Sequence, residues 1–288
     1  MRINTTLNDN LIFMRKKHFL VILVLSLFVT QSAISQTFAD KEFYLLDSLN
    51  LKTLSKSDRT LIDTLLVEYH DSEEDSIRLG QISELISECE NQVWVRYNNL
   101  MIIESKKIIK RDTAKVFKKY LASGYNNLGF YYYNNDDIPE ATKNFEKAID
   151  ISKQINDLAV IPTALNNLGV IYRLQGDILK ALEYYHRSLE INKQLQEGEE
   201  IALALNNIGG IYYYQKEYNK ALNYYRDALI IEKVDGTRKG VARLYSNIGS
   251  IYSKQNKNDL AIDYFNQSIK IYEKTGYNRG LATSLSKK

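Results

Sequence analysis

From about residue 122 onward the apolar positions recur at helical spacing, and the pattern itself repeats. In "LNNLGVIYRLQGDILKALEYY", Leu165 to Tyr185, residues Leu165, Leu168 and Tyr172 fall on one stripe with Gly169 beside it. That one-sided distribution predicts an amphipathic helix packed along one face. Shifting the chain on itself by forty residues superposes four blocks: "YNNLGFYYYNNDDIPEATKNF", "LNNLGVIYRLQGDILKALEYY", "LNNIGGIYYYQKEYNKALNYY" and "YSNIGSIYSKQNKNDLAIDYF". A period of this length marks a solenoid, whose units cannot bury their apolar faces alone.

Each block predicts two helices. Gly129, Gly169, Gly209 and Gly249 sit inside the first, where glycine costs about 1 kcal/mol relative to Ala. Close approach by a neighbouring helix offsets that cost. Turn-formers such as "NNDD" and "QGD" follow, and the second helix opens with Asp137 to Glu140 resembling a capping box and Pro139 in its first turn. It carries Ala141, Ala181, Ala221 and Ala261, each followed four residues on by Phe145, Tyr185, Tyr225 or Phe265, so that small packs against large. Tyr132, Tyr172, Tyr212 and Tyr252 recur in the packing stripe, as buried rings with the hydroxyl at the rim.

These residues resemble the tetratricopeptide repeat (TPR), which implies an all-α fold: a right-handed superhelix, or α-solenoid, of stacked antiparallel helix pairs. The resemblance covers residues 122–278 as four units. Three features depart from it. The period is 40 rather than 34, the usual Trp is replaced by Tyr125, Leu165, Leu205 and Tyr245, and the helix-ending Pro by Lys153, Lys193, Lys233 and Glu273. Without that Pro the second helix can run on, which accounts for part of the longer unit. The longer unit resembles the repeats of kinesin light chains and of bacterial peptide-responsive regulators, which implies peptide recognition.

Opposite the buried stripe of the first helix lies Asn167, with Asn127, Asn207 and Asn247 in the same place in the other blocks. The resemblance places this face in a concave groove and implies a ladder of four amides. Each offers a donor and an acceptor, which suits the backbone of an extended peptide whatever its sequence. Tyr133, Arg173, Tyr213 and Arg243 lie near that face and would give side-chain preference. The competing reading treats all of these as solvated polar positions.

Residues 36–121 predict degenerate helical repeats that cap the array. "SDRTLIDTLLVEYHD" spaces Leu61, Ile62, Leu65, Leu66 and Tyr69 as an amphipathic helix, and "QVWVRYNNLMIIESKKIIKR" passes for a second TPR helix with Trp94, Tyr97 and Met101 inward. Residues 1–35 read as an export signal, with a cationic stretch (Arg15 to His18), an apolar run (Phe19 to Val29) and small residues before Gln36; Met14 is a candidate start. An uncleaved anchor is the alternative, although the run falls short of the roughly 20 residues a spanning helix needs. The expected location is therefore periplasmic or extracellular.

The net charge of +3 sits within residues 1–35, through Arg2, Arg15, Lys16 and Lys17 against Asp9, leaving the remainder neutral. A neutral chain with no one-sided run of Lys and Arg lacks the footprint of phosphate binding, so no nucleic-acid partner is expected. The single Cys89 cannot form an intrachain disulfide. His70 and His186 are isolated, and no nucleophile constellation or Gly-rich phosphate loop appears. The sequence thus predicts no enzyme, no cofactor and no metal.

Residues 279–288 match the start of a further first helix, with Gly280, Leu281, Ala282 and Ser286 aligned to Gly240, Val241, Ala242 and Ser246, so an incomplete fifth repeat and a truncated gene product are expected. An exported array of this style resembles the sensory region of bacterial sensor histidine kinases and membrane-bound transcription regulators. Two functional expectations follow: a non-catalytic, exported scaffold holding a peptide or protein segment in its groove, or the truncated sensor region of a signalling protein.

Overall fold

The computed structural model describes residues 40–47, 49–234 and 236–288; the signal segment expected at 1–35 lies outside them. A single helical turn at Lys41–Tyr44 and a 3₁₀ turn at Leu51–Thr53 precede twelve longer helices among the described residues. They are α1 (Lys56–Asp71), α2 (Asp75–Glu88), α3 (Trp94–Ile109), α4 (Lys115–Asn134), α5 (Ile138–Gln154) and α6 (Ile161–Leu174). The chain continues through α7 (Ile178–Leu195), α8 (Gly198–Tyr214), α9 (Tyr218–Val234), α10 (Arg238–Lys254), α11 (Asn258–Thr275) and α12 (Asn278–Lys287). No strand occurs among the described residues. Each helix packs on the next, most closely within the pairs α4/α5, α6/α7, α8/α9 and α10/α11, so the architecture is an α-solenoid of antiparallel helix pairs.

The turn inside each pair is the same chemistry four times. Asp137, Asp177, Glu217 and Lys257 donate their backbone N–H groups to the carbonyls of Tyr132, Tyr172, Tyr212 and Tyr252, all at 2.9 Å. The preceding residue, Asp136, Gly176, Lys216 or Asn256, has positive φ. This is the Schellman ending, which satisfies carbonyls a helix end would otherwise leave unpaired. In the first two pairs the same residue that closes one helix caps the next: Asp137 accepts the N–H of Glu140 at 3.2 Å, and Asp177 that of Lys180 at 3.1 Å. Pro139 lies in the first turn of α5, where its missing N–H costs nothing. The second helices run through Lys153, Lys193, Lys233 and Glu273.

The mid-helix glycines meet aromatic rings. A Cβ on Gly129 would stand 2.6 Å from the Phe145 ring, on Gly169 2.6 Å from Tyr185, on Gly209 2.8 Å from Tyr225 and on Gly249 2.9 Å from Phe265. The close approach expected from their placement is thus made by the aromatic of the same pair. All four rings are buried, as are Ala141, Ala181, Ala221 and Ala261. Tyr172 stacks on Tyr184 and Tyr212 on Tyr224, with ring centroids 5.3 and 5.4 Å apart. Of the four stripe tyrosines Tyr252 is buried, whereas Tyr132, Tyr172 and Tyr212 are half-buried against the core, a shallower seat than the buried rings expected.

Before the first pair, α1 buries Ile62, Leu65 and Leu66, while Leu61 and Tyr69 are half-buried. Tyr97 and Met101 of α3 are fully buried, but Trp94 is only half-buried. Asp58 fixes this end. Its carboxylate accepts the Ser55 hydroxyl at 2.8 Å and the Glu90 N–H at 2.9 Å, with the Cys89 thiol 3.4 Å away, tying the start of α1 to the loop before α3. Helix α4 begins at Lys115, seven residues before the first apolar repeat position expected at residue 122.

One junction is specialised. Glu232, near the end of α9, is buried, accepts the Thr237 N–H at 2.8 Å and pairs with Arg243 at 3.6 Å. Its carboxylate occupies the space a side chain on Gly240 would need, and Tyr272 does the same to Gly280 forty residues later.

Candidate binding groove

The first helices α2, α4, α6, α8, α10 and α12 follow one another along one side of the stack. The doublets Asn126–Asn127, Asn166–Asn167 and Asn206–Asn207 lie on α4, α6 and α8, and the structure links amides of successive units, with Asn98 of α3 and Asn247 of α10 at the two ends. Asn207 Nδ2 donates to Asn166 Oδ1 at 2.8 Å, and Asn247 Nδ2 to Asn206 Oδ1 at 2.9 Å. At the N-terminal end Asn127 Nδ2 donates to Asn98 Oδ1 at 3.1 Å, and the buried Asn98 anchors itself on the Gly124 carbonyl at 2.9 Å. Each clasp satisfies a half-buried amide that would otherwise lose its water partners. The sequence reading assigned these amides wholly to a ligand; three of the four, Asn127, Asn207 and Asn247, spend a donor on holding neighbouring helices together.

The fourth clasp is open. By the same register Asn167 would reach Asn126, yet Asn126 Oδ1 is buried without a hydrogen-bond partner. Both residues line a cleft of about 570 Å³, together with Asn127. Its hydroxyl lining comes from Ser83 and Ser87 of α2, Ser123 of α4 and Thr163 of α6, and its aromatic lining from Trp94 and Phe130. Trp94 is held edge-on by Tyr131, with centroids 6.2 Å apart, and Phe130 is 48% exposed.

A second cleft, of about 420 Å³, lies towards α12 and contains Asn247 and Arg243. Lys239, Arg279 and Lys287 also line it, against Glu199. Burial lowers the Lys287 pKa below the usual lysine range. Arg243 is committed to Glu232, whose carboxyl is raised above its ordinary range by burial, with the Thr237 N–H and Arg243 pulling the other way.

The eight residues named from the sequence therefore separate. Asn127 and Asn167 share the first cleft, Asn247 and Arg243 the second, and Asn207 lies between them in neither lining. Tyr133 packs on the core of the first two pairs. Tyr213 packs across its turn on Tyr218, 6.0 Å between centroids, and burial raises its hydroxyl pKa. Arg173 is half-buried near Tyr185, whose hydroxyl is raised by burial and partly offset by that guanidinium. The sequence reading missed Asn126, Trp94 and Phe130 as cleft residues, and Asn98, Asn166 and Asn206 as the partners that clasp neighbouring helices. A signal existed: the doublet recurs in three blocks, and "YNNL" appears at 97–100 as well as 125–128.

Elsewhere His70 Nε2 lies 2.9 Å from the Phe43 carbonyl and His186 is exposed. Among the described residues no cluster of three potential metal ligands forms, and no helix is long and apolar enough to cross a membrane.

The tetratricopeptide repeat family matches this chain at residues 120–194, 160–231 and 200–274. These spans cover more than half of the sequence, and the chain belongs to that family. No curated protein matches it. Among solved structures it is similar to BtubC (BKLC) from P. vanneervenii, at 19% identity and TM-score 0.62 over 77% of this chain and 93% of that one. It also resembles a Rap protein complexed with competence and sporulation factor, at 17% identity and TM-score 0.52 over 81% of this chain and 71% of that one. A third is a STAND signal-transduction ATPase with a TPR sensor from Pyrococcus horikoshii, at 15% identity and TM-score 0.58, covering 82% of this chain but 40% of that one. At these identities the likeness is one of fold.

Proposed function

We propose that this chain is a non-catalytic scaffold that holds a peptide or protein segment against its first helices. The observation that carries the reading is the cleft in which α2, α4 and α6 present hydroxyls and the amides Asn127 and Asn167 side by side. Amides and hydroxyls at successive helices match the alternating donors and acceptors of an extended backbone. The Rap protein of similar fold is complexed with competence and sporulation factor, which supports the same use of the stack here. The neutral charge beyond residue 35 favours a protein ligand over nucleic acid. The basic, apolar leader read at 1–35 favours export to the periplasm or cell exterior.

The test is affinity capture from an extract of the source cells with the chain and its Asn127→Ala/Asn167→Ala variant. Partner recovery is expected to fall at least tenfold in the variant; equal recovery removes the groove assignment. The second reading, a sensor region within a signalling protein, draws on the STAND ATPase whose TPR array is a sensor. Reading the gene beyond the codon for Lys288 separates the two: a continued repeat followed by a spanning helix and kinase or regulator motifs supports the sensor reading.

A further inference from the structure

We infer that the groove takes an uncharged peptide stretch with one apolar side chain, seated where the asparagine clasp between the first two helix pairs is open. This rests on the groove reading above and names the part of the groove and the chemistry of its occupant. The clasp is closed at Asn207–Asn166 and at Asn247–Asn206, both within 2.9 Å. At the corresponding place Asn126 Oδ1 is buried and unpaired. An unpaired buried carbonyl costs about as much as a lost hydrogen bond, so the half-buried Asn126 side chain gains by turning it towards an N–H supplied from outside. A peptide backbone supplies one, and Asn167 beside it offers both a donor and an acceptor.

The side-chain part of the site follows from what stands next to that amide. Phe130 is 48% exposed on the cleft, and Trp94 borders it. In the later units Phe130 is replaced by Val170, Gly210 and Ser250, so the aromatic belongs to this position and not to the repeat. Among the described residues lining this cleft none is charged, whereas the second cleft carries Lys239, Arg243, Arg279 and Lys287 against Glu199. A charged ligand side chain in the first cleft would lose water without gaining a partner. An apolar one would gain the burial of its surface against the two rings.

Trp94 is the chain's only tryptophan, so its emission reports the site directly. The probes are acetylated and amidated peptides Ser-Ala-Xaa-Ala-Ser-Ala with Xaa as Phe, Leu, Gly, Glu or Lys. The Phe and Leu peptides are expected to shift Trp94 emission saturably, with affinities about tenfold or more above the other three, the ratio expected for burying one such side chain. Phe130→Ser, tolerated because Ser250 holds the same place, and Asn126→Ala should each remove about tenfold of that affinity. Asn206→Ala should not, and melting curves confirm that the variants fold. Equal affinity for the Gly peptide, or no emission change with any peptide, overturns the inference. So does preference for the Glu peptide that Arg279→Ala abolishes and Phe130→Ser leaves intact. If a partner is captured in an Asn127- and Asn167-dependent way while all five peptides are ignored, the groove reading stands and this one falls.

Discussion

The ring of Tyr185 lies where a Cβ on Gly169 would stand, 2.6 Å from its Cε1. Replacing Gly169 by Ala brings about 1 kcal/mol of helix propensity but forces the ring off its place in a packed interior. Overpacking of this kind costs about 1–3 kcal/mol. Gly169→Ala should therefore lower the urea midpoint, and the double variant Gly169→Ala/Tyr185→Leu should recover part of the loss. An unchanged midpoint in the single variant would mean that the ring moves freely.

The clasps predict a contrast between two chemically identical substitutions. Asn206→Ala removes the acceptor of Asn247 and should cost about 1 kcal/mol. Asn126→Ala removes a carbonyl that has no partner and should leave stability unchanged or raised. Chemical unfolding of the two variants side by side tests whether the first clasp is open in solution.

Lys216 and Gly176 occupy the same turn position, both with positive φ. The left-handed conformation costs a residue with a Cβ about 1–2 kcal/mol. Lys216→Gly should raise stability by up to about 1 kcal/mol once the added freedom of the unfolded chain is counted, and Gly176→Ala should lower it by a similar amount. Thermal melts of the two variants against the parent measure both.

Arg243→Ala leaves Glu232 buried with the Thr237 N–H as its remaining partner. The loss at pH 7 should be about 1–3 kcal/mol. Burial already raises the Glu232 pKa, and losing the guanidinium raises it further. A raised carboxyl favours folding fully below the unfolded glutamate pKa, and that contribution is lost as pH rises through the folded value. The gap between parent and variant should therefore close as pH falls towards 4–5 and widen towards 7. Unfolding measured across that range checks the sign.

Burial, reinforced by the nearby Asp58 carboxylate and partly offset by the Asn91 backbone, pushes the Cys89 thiol up to about 11. At pH 8 it should react with iodoacetamide at least a hundredfold more slowly than free cysteine, since only the thiolate attacks. In 6 M urea the difference should vanish. Stability should fall as pH rises from 9 towards 11, where the unfolded thiol ionises and the folded one resists.

The architecture was legible because packing repeats. Leu165, Leu168 and Gly169 recur at fixed spacing, and each must meet the same partner in every pair, so the pattern of one unit reports the contacts of all four. The groove was less legible. Asn207 bonds Asn166, a contact set by how closely two first helices approach across a whole unit, and single-helix geometry says nothing of that distance. Helix geometry sets Asn167 opposite the buried stripe but does not show which amides a neighbouring helix leaves unclasped. Trp94 and Phe130 were hidden for a different reason: they come from different units, and each breaks the repeat. Positions that depart from the consensus carry little signal in a self-comparison, yet they distinguish one stretch of the wall from another.

The Glu232–Gly240 and Tyr272–Gly280 contacts make the units unequal. Where the buried residue is the smaller Ser152 or Asn192, the position eight further on keeps a side chain, Val160 or Glu200. Bulk on one helix is matched by its deletion on the next, so each joint fits its own successor and rejects another's. Duplicating or reordering whole units would set Tyr272 against Val160, and such a shuffled chain would have to splay at the seam. Register is thus written into the joints, and the order of the units along the stack is fixed along with it.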